Sequence, residues 1–153
     1  MPLCAIASVS QRHAGVPMSQ QKEAKPVLIE VGPGELIDKI TILRIKSERM
    51  SDAAKLANVR HELDVLEEGR RANLQDSAEL RRLEGELKAV NEALWVIEDD
   101  IRQCEAEKDF GPKFIDLARS VYKQNDKRAA LKKEINLLTG SAIVEEKSYT
   151  EFE

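Results

Sequence analysis

The residues with the most chemical promise are polar side chains standing where helical spacing calls for apolar ones. In the stretch after Gly111, Phe114, Leu117 and Val121 open an apolar stripe, and Leu131, Ile135 and Leu138 complete it. Between them Gln124, Asn125 and Arg128 occupy the same face. Polar groups on a core face must find partners or water. Upstream, Asn91, Trp95, Glu98 and Arg102 form a second stripe beside a leucine seam. A third set, Glu35, Asp38, Lys39, Ile42, Lys46 and Arg49, falls within about a third of one helix circumference. The rest of that helix is apolar (Leu36, Ile37, Ile40, Leu43, Ile45), so it is expected to be central, with its polar stripe facing inward or into a cleft.

An antiparallel pairing across the turn near Gly111 places residues whose numbers sum to about 222 at one level. Glu98 then lies near Asn125 and within reach of Arg128, and Arg102 lies near Arg119 and Tyr122. Charge agrees with this pairing. Glu92–Asp109 holds seven acids and two bases, and Lys113–Lys133 holds seven bases and two acids. One account of these residues is a salt-bridge and hydrogen-bond network that fixes helix register. The other is a polar pocket lined by Lys39, Arg102, Arg119, Arg128 and Lys132, with Asp38, Asn91, Glu98, Asn125 and Asp126 among them. Several bases in one cleft suit a carboxylate or phosphate. Trp95 and Tyr122 are read first as packing anchors and second as walls of such a pocket.

Most other chemistry drops out. The two histidines, His13 and His61, have no metal-ligand companion at helical spacing, so no metal centre is expected. Glu35 with Asp38, or Glu98 with Asp99, could touch Mg²⁺, but acids so spaced are common on solvated faces. Gly32-Pro33-Gly34 lacks the length and the lysine of a phosphate-binding loop. There is no nucleophile motif and no sign of a cofactor. A formal charge of -4 disfavours nucleic acid as a partner. No apolar run approaches the roughly 20 residues of a membrane span.

The elements that must hold these residues are helices. Charged residues make up 34% of the chain and aromatics only 4%, with Leu, Ile, Ala, Glu, Lys and Arg dominant, which is the composition of long helices. Leu80, Leu83, Leu87, Val90, Leu94, Ile97, Ile101 and Cys104 alternate at intervals of 3 and 4, a heptad seam. The fold expected is all-α, a bundle of about four helices over roughly 34–50, 52–71, 77–109 and 113–139. The second and third are expected to form an antiparallel hairpin across the short connection at 72–76. Pro26–Val31 (PVLIEV) reads as a short strand or extended arm.

Residues 1–25 read as a disordered leader, with Met18 a candidate true start and a weak export signal as the alternative. Residues 26–140 form the helical domain and 141–153 a polar tail that folds back or frays. Cys4 and Cys104 do not suggest a disulfide framework, in keeping with a cytoplasmic protein.

The runs GELIDKITILRIK (34–46), VNEALWVIEDDIR (90–102) and ARSVYKQNDKRAALKKEINLLTGSAIVEEKSY (118–149) resemble a bacterial family called domain of unknown function 6165. The resemblance covers about 27–149. It implies no particular activity, and it suggests a setting in glycosyltransferase and surface-polysaccharide metabolism. LIDKITILRIKSERM is also similar to the opening helix of the all-helical chorismate mutases, which have a cationic pocket, although the later runs do not match that family.

Three functions are therefore expected, in order. The first is a non-catalytic protein that binds a partner protein or small anionic ligand in the polar cleft. The second is a small mutase-like enzyme on an anionic metabolite, with Glu98 or Asp126 as acid or base. The third is a coiled-coil adaptor whose polar residues only set register. The seam can be satisfied inside one chain or between two, so a homodimer stays open.

Overall fold

The structure, a computed structural model, describes residues 25–148 and Thr150. The leader expected over 1–25 lies, apart from Lys25, outside the described residues. The architecture is an all-α bundle with element order α1 (Pro33–Arg49), α2 (Ala53–Asn73), α3 (Ala78–Glu107) and α4 (Pro112–Leu138).

Local chemistry explains the boundaries. Pro33 and Pro112 open α1 and α4, where a missing N–H costs nothing. Asp52 and Ser77 cap α2 and α3, their side-chain oxygens accepting from the backbone N–H of Lys55 at 2.9 Å and of Leu80 at 3.0 Å. Beyond α4, Gly140 takes a positive φ of 67°, the left-handed position that ends many helices. Pro26–Val31 carries no regular structure and forms no strand.

The core contains Ile37 of α1, Leu80, Leu83 and Leu87 of α3, and Ile135 of α4, with Leu74 and Leu131 against it. The expected centrality of α1 is met: it packs on each of the other three helices. The expected hairpin of the second and third helices is not. The backbone of α2 packs along α1 and α2 reaches α3 through the Arg70–Glu84 ion pair, while the long antiparallel hairpin is α3 with α4. The cause lies in α2's side chains. Its stripe of Leu56, Val59, Leu63 and Leu66 buries only Val59 fully, which suffices for one neighbour.

The contacts of α1 stay within a short part of α3. Ile37 joins Leu80, Leu83 and Leu87, Thr41 meets Asn91, Arg44 meets Glu84, and Glu48 meets Lys88. The helix therefore crosses the hairpin instead of running alongside it. It approaches α4 closely where Gly34 packs: a methyl group there would lie 2.4 Å from the Lys132 carbonyl oxygen. Beyond the crossing, between about residues 96 and 127, Cys104 is the one fully buried hydrophobic residue. That end of the hairpin projects past α1.

The tail folds back. Ser141 N–H donates to the Asn136 carbonyl at 2.9 Å. Glu145 pairs with Lys132 at 2.5 Å and Glu146 with Lys133 at 3.0 Å.

Candidate functional site

Where α1 crosses the hairpin it carries Asp38 into the interior, 1% exposed. An ionised carboxylate so buried must be paired and hydrogen-bonded. Arg128 of α4 supplies two parallel bonds, Nε to Oδ1 at 2.8 Å and Nη2 to Oδ2 at 2.6 Å. Asn91 of α3 donates to Asp38 Oδ1 and to Thr41 Oγ1, each at 2.9 Å, and Thr41 in turn donates to the Asp38 carbonyl at 2.8 Å. One carboxylate thus ties three helices together. The hydrogen bond to Asp38 holds the Arg128 guanidinium above its ordinary value, against the opposing pull of burial.

Beside this network lies an open cleft of about 250 Å³. Ile42, Ile45 and Leu94 form its apolar side, and Asn91, Trp95, Glu98, Asp99, Arg102 and Arg128 complete it. The structure therefore brings five of the expected site residues, Asn91, Trp95, Glu98, Arg102 and Arg128, into one space, with Asp38 directly beneath.

The remaining candidates lie elsewhere. Lys39 is exposed and sits 3.9 Å from Glu62. Arg119 is exposed, and its hydrogen bond to Tyr122 raises its pKa. Asp126 is also exposed. Asn125 reaches the network only at its edge, accepting from Arg128 Nη1 at 3.5 Å. Lys132 is buried between Glu35 at 2.6 Å and Glu145 at 2.5 Å, bordering a separate hollow of about 240 Å³ under the tail.

The expected pairing of Glu98 with Arg128 is corrected. Glu98 is half exposed and meets Arg102 at 3.4 Å, while Arg128 turns to Asp38. The physical reason is desolvation. Glu98 keeps its water and needs no partner, whereas Asp38 has lost its water and takes the cation within reach.

Thr41 and a second polar cluster were not anticipated from the sequence, and Asp99 was weighed there only as an acid beside Glu98 of the kind common on solvated faces. Glu84, 7% exposed, accepts from Arg44 at 2.5 Å and from Arg70 at 2.9 Å, and so links α1, α2 and α3. Thr41 stands three residues after Asp38 and between Ile40 and Ile42, with Ile37 and Ile45 one turn to either side, a signal that could have identified it. Glu84 stands between Leu83 and Leu87, one position off the seam, and nothing in its spacing distinguishes it from a solvated acid.

Among the described residues no group of three or more His, Cys, Asp or Glu side chains converges to hold a metal ion. No helix among them is long and apolar enough to cross a membrane.

These features define a class: an all-α bundle whose first helix crosses a long hairpin and is fastened to it by a buried acid–guanidinium pair. The chain belongs to the family of unknown function DUF6165, which matches residues 27–152. Comparison with curated proteins gives no match, and neither does comparison with solved structures.

Proposed function

We propose that this is a non-catalytic binding protein whose α1/α3/α4 cleft receives a basic side chain of a partner protein. One observation carries the choice of a basic group over an anionic ligand. Arg128 is engaged by buried Asp38, and Arg102, largely exposed, meets Glu98 at 3.4 Å, so the acids of the cleft and its floor outnumber the bases. Asp99 makes no ion pair among the described residues and lies in the same wall as Trp95. An anion entering this space would meet an Arg128 whose charge is already balanced by Asp38, with Glu98 and Asp99 in the same lining to repel it. A guanidinium or ammonium group would instead meet Asp99 and the indole face, where cation–π attraction adds about 0.5–2 kcal/mol.

The enzyme alternative has less support, because Asp126 lies outside the cleft and Glu98 sits at its rim. The adaptor alternative draws on the projecting end of the α3–α4 hairpin, a two-helix coiled coil open to a second protein. A bacterial, cytoplasmic setting in surface-polysaccharide metabolism is part of the proposal for either binding role.

The chain has a single tryptophan, so indole emission reads this cleft directly. Titration with arginine- and lysine-containing peptides is expected to shift Trp95 emission saturably, and Asp99→Lys is expected to abolish the shift without changing the melting temperature. A saturable shift with sugar phosphates or dicarboxylates, and none with cationic peptides, would overturn the proposal.

A further inference from the structure

Past its crossing by α1, the α3–α4 hairpin carries a seam that two helices alone do not cover. Ile97, Ile101, Leu117 and Val121 are only half-buried there, whereas Leu80, Leu83 and Leu87 near α1 are buried. Among the described residues α1 is the one helix packed across the hairpin, so the opposite face is uncovered. Charge adds a second observation. The later part of α3 is acidic and α4 is basic, yet among the described residues no ion pair joins the two helices. Beyond residue 96 the pairs of α3 stay within it, Glu98 with Arg102 and Glu105 with Lys108. Asp100, Lys123 and Lys127 make no ion pair among the described residues.

We infer that the hairpin face opposite α1 binds a second copy of this chain, the two hairpins forming an antiparallel four-helix bundle. At about 100° per residue, Ala93, Val96 and Asp100 lie on the side of α3 opposite Asn91. By the same spacing Lys123, Lys127 and Ala130 lie on the side of α4 turned away from Lys132. Hairpin residues whose numbers sum to about 222 are level, and Leu87 and Ile135, such a pair, share the core.

The occupant follows from symmetry. A two-fold axis parallel to the helices sets α3 of each copy over α4 of the other, and level residues then oppose one another. Asp100 meets Lys123, the stem of Lys127 covers Val96, and Ala93 meets Ala130, where small side chains admit close approach. The same three pairs recur across the axis, so the face complements itself. The other two-fold arrangements set α3 on α3 or α4 on α4, where like charges oppose. Closer to the tip α4 carries Asp116 as well as Arg119, so the pairing is centred on these six residues. From Ala89 to Glu107 the face runs about 27 Å, and two helices make it about 20 Å wide, so each copy buries on the order of 500 Å². That total is at the low end for a stable complex and corresponds to micromolar association. The contact lies away from the α1/α3/α4 cleft, and the two readings stand or fall separately.

The test is sedimentation equilibrium of the full chain from about 1 to 500 μM. A monomer–dimer equilibrium is expected, weakening as salt is added. Asp100→Lys and Lys123→Glu should each raise the dissociation constant about tenfold or more, because each reversal occurs twice in the dimer. Both positions lack an ion-pair partner in the chain, so both variants should keep the parent's circular dichroism and melting temperature. Mixing the two variants in equal amounts should restore association to the parent's strength. In the mixed pair every acid again opposes a base, and this rescue separates a charge contact from misfolding. A monomer at every concentration would overturn the inference. So would an open-ended oligomer, a dimer indifferent to both reversals, or a mixture that associates no better than its components.

Discussion

At the scale of single residues, the molecule turns on the carboxylate of Asp38. Removing its guanidinium partner leaves a buried charge with only Asn91 to stabilise it. Arg128→Ala should therefore destabilise the fold by about 3 kcal/mol in urea denaturation. The double change Asp38→Asn with Arg128→Ala should cost less than the single one, because no unpaired charge remains. A loss under about 0.5 kcal/mol, typical of surface positions, would mean that water reaches the pair freely. Gly34→Ala tests a different force. Its methyl group would meet the Lys132 carbonyl at 2.4 Å, so α1 and α4 must move apart, at roughly 1–3 kcal/mol. Part of this was legible in the sequence. Arg128, Asn91 and Asp38 each stood on or beside an apolar stripe, and each is now found in one network. Their pairing was not legible. The 222 rule levels α3 against α4, but nothing in the spacing says where a third helix crosses them, and that crossing decides which acid Arg128 meets.

At the scale of elements, α2 is held to α1 by Val59, the one buried residue of its stripe, and by the Arg44–Glu67 pair, and to α3 through the acid Glu84. Glu84→Ala should leave Arg44 and Arg70 without their shared partner. The expected outcome is faster amide exchange throughout α2, with protection in α3 and α4 near the core unchanged. If α3 and α4 lose protection equally, α2 is part of the same cooperative unit. The tail gives a pH prediction. Burial pushes the Lys132 ammonium down, but Glu145 and Glu35 together outweigh it, so the net shift is upward from 10.5. A raised folded-state pKa means the contribution is fully present below the unfolded value and is lost as pH rises through the folded one. Denaturation midpoints should thus fall above pH 10.5, and Lys132→Met should flatten that part of the profile. The helices themselves were readable to within a few residues, since caps, prolines and the heptad seam are local signals. Which helices pair was not, because a short connection at 72–76 suggested a neighbour relation that α2's thin apolar stripe does not support.

At the scale of the whole molecule, the long hairpin reaches past the helix that crosses it, and its two halves carry opposite charge along their length. Acidic residues dominate the later part of α3 and basic ones most of α4, an excess of five on each side. With helix axes about 10 Å apart, this separation corresponds to an electric dipole on the order of 200 debye, directed across the hairpin's width. Such a moment turns an approaching charged molecule before contact and fades once the ionic strength passes about 0.1 M, where screening acts over roughly 10 Å. Encounters at the projecting end should accordingly be orientation-selective and fast in dilute buffer, and should slow steeply with added salt.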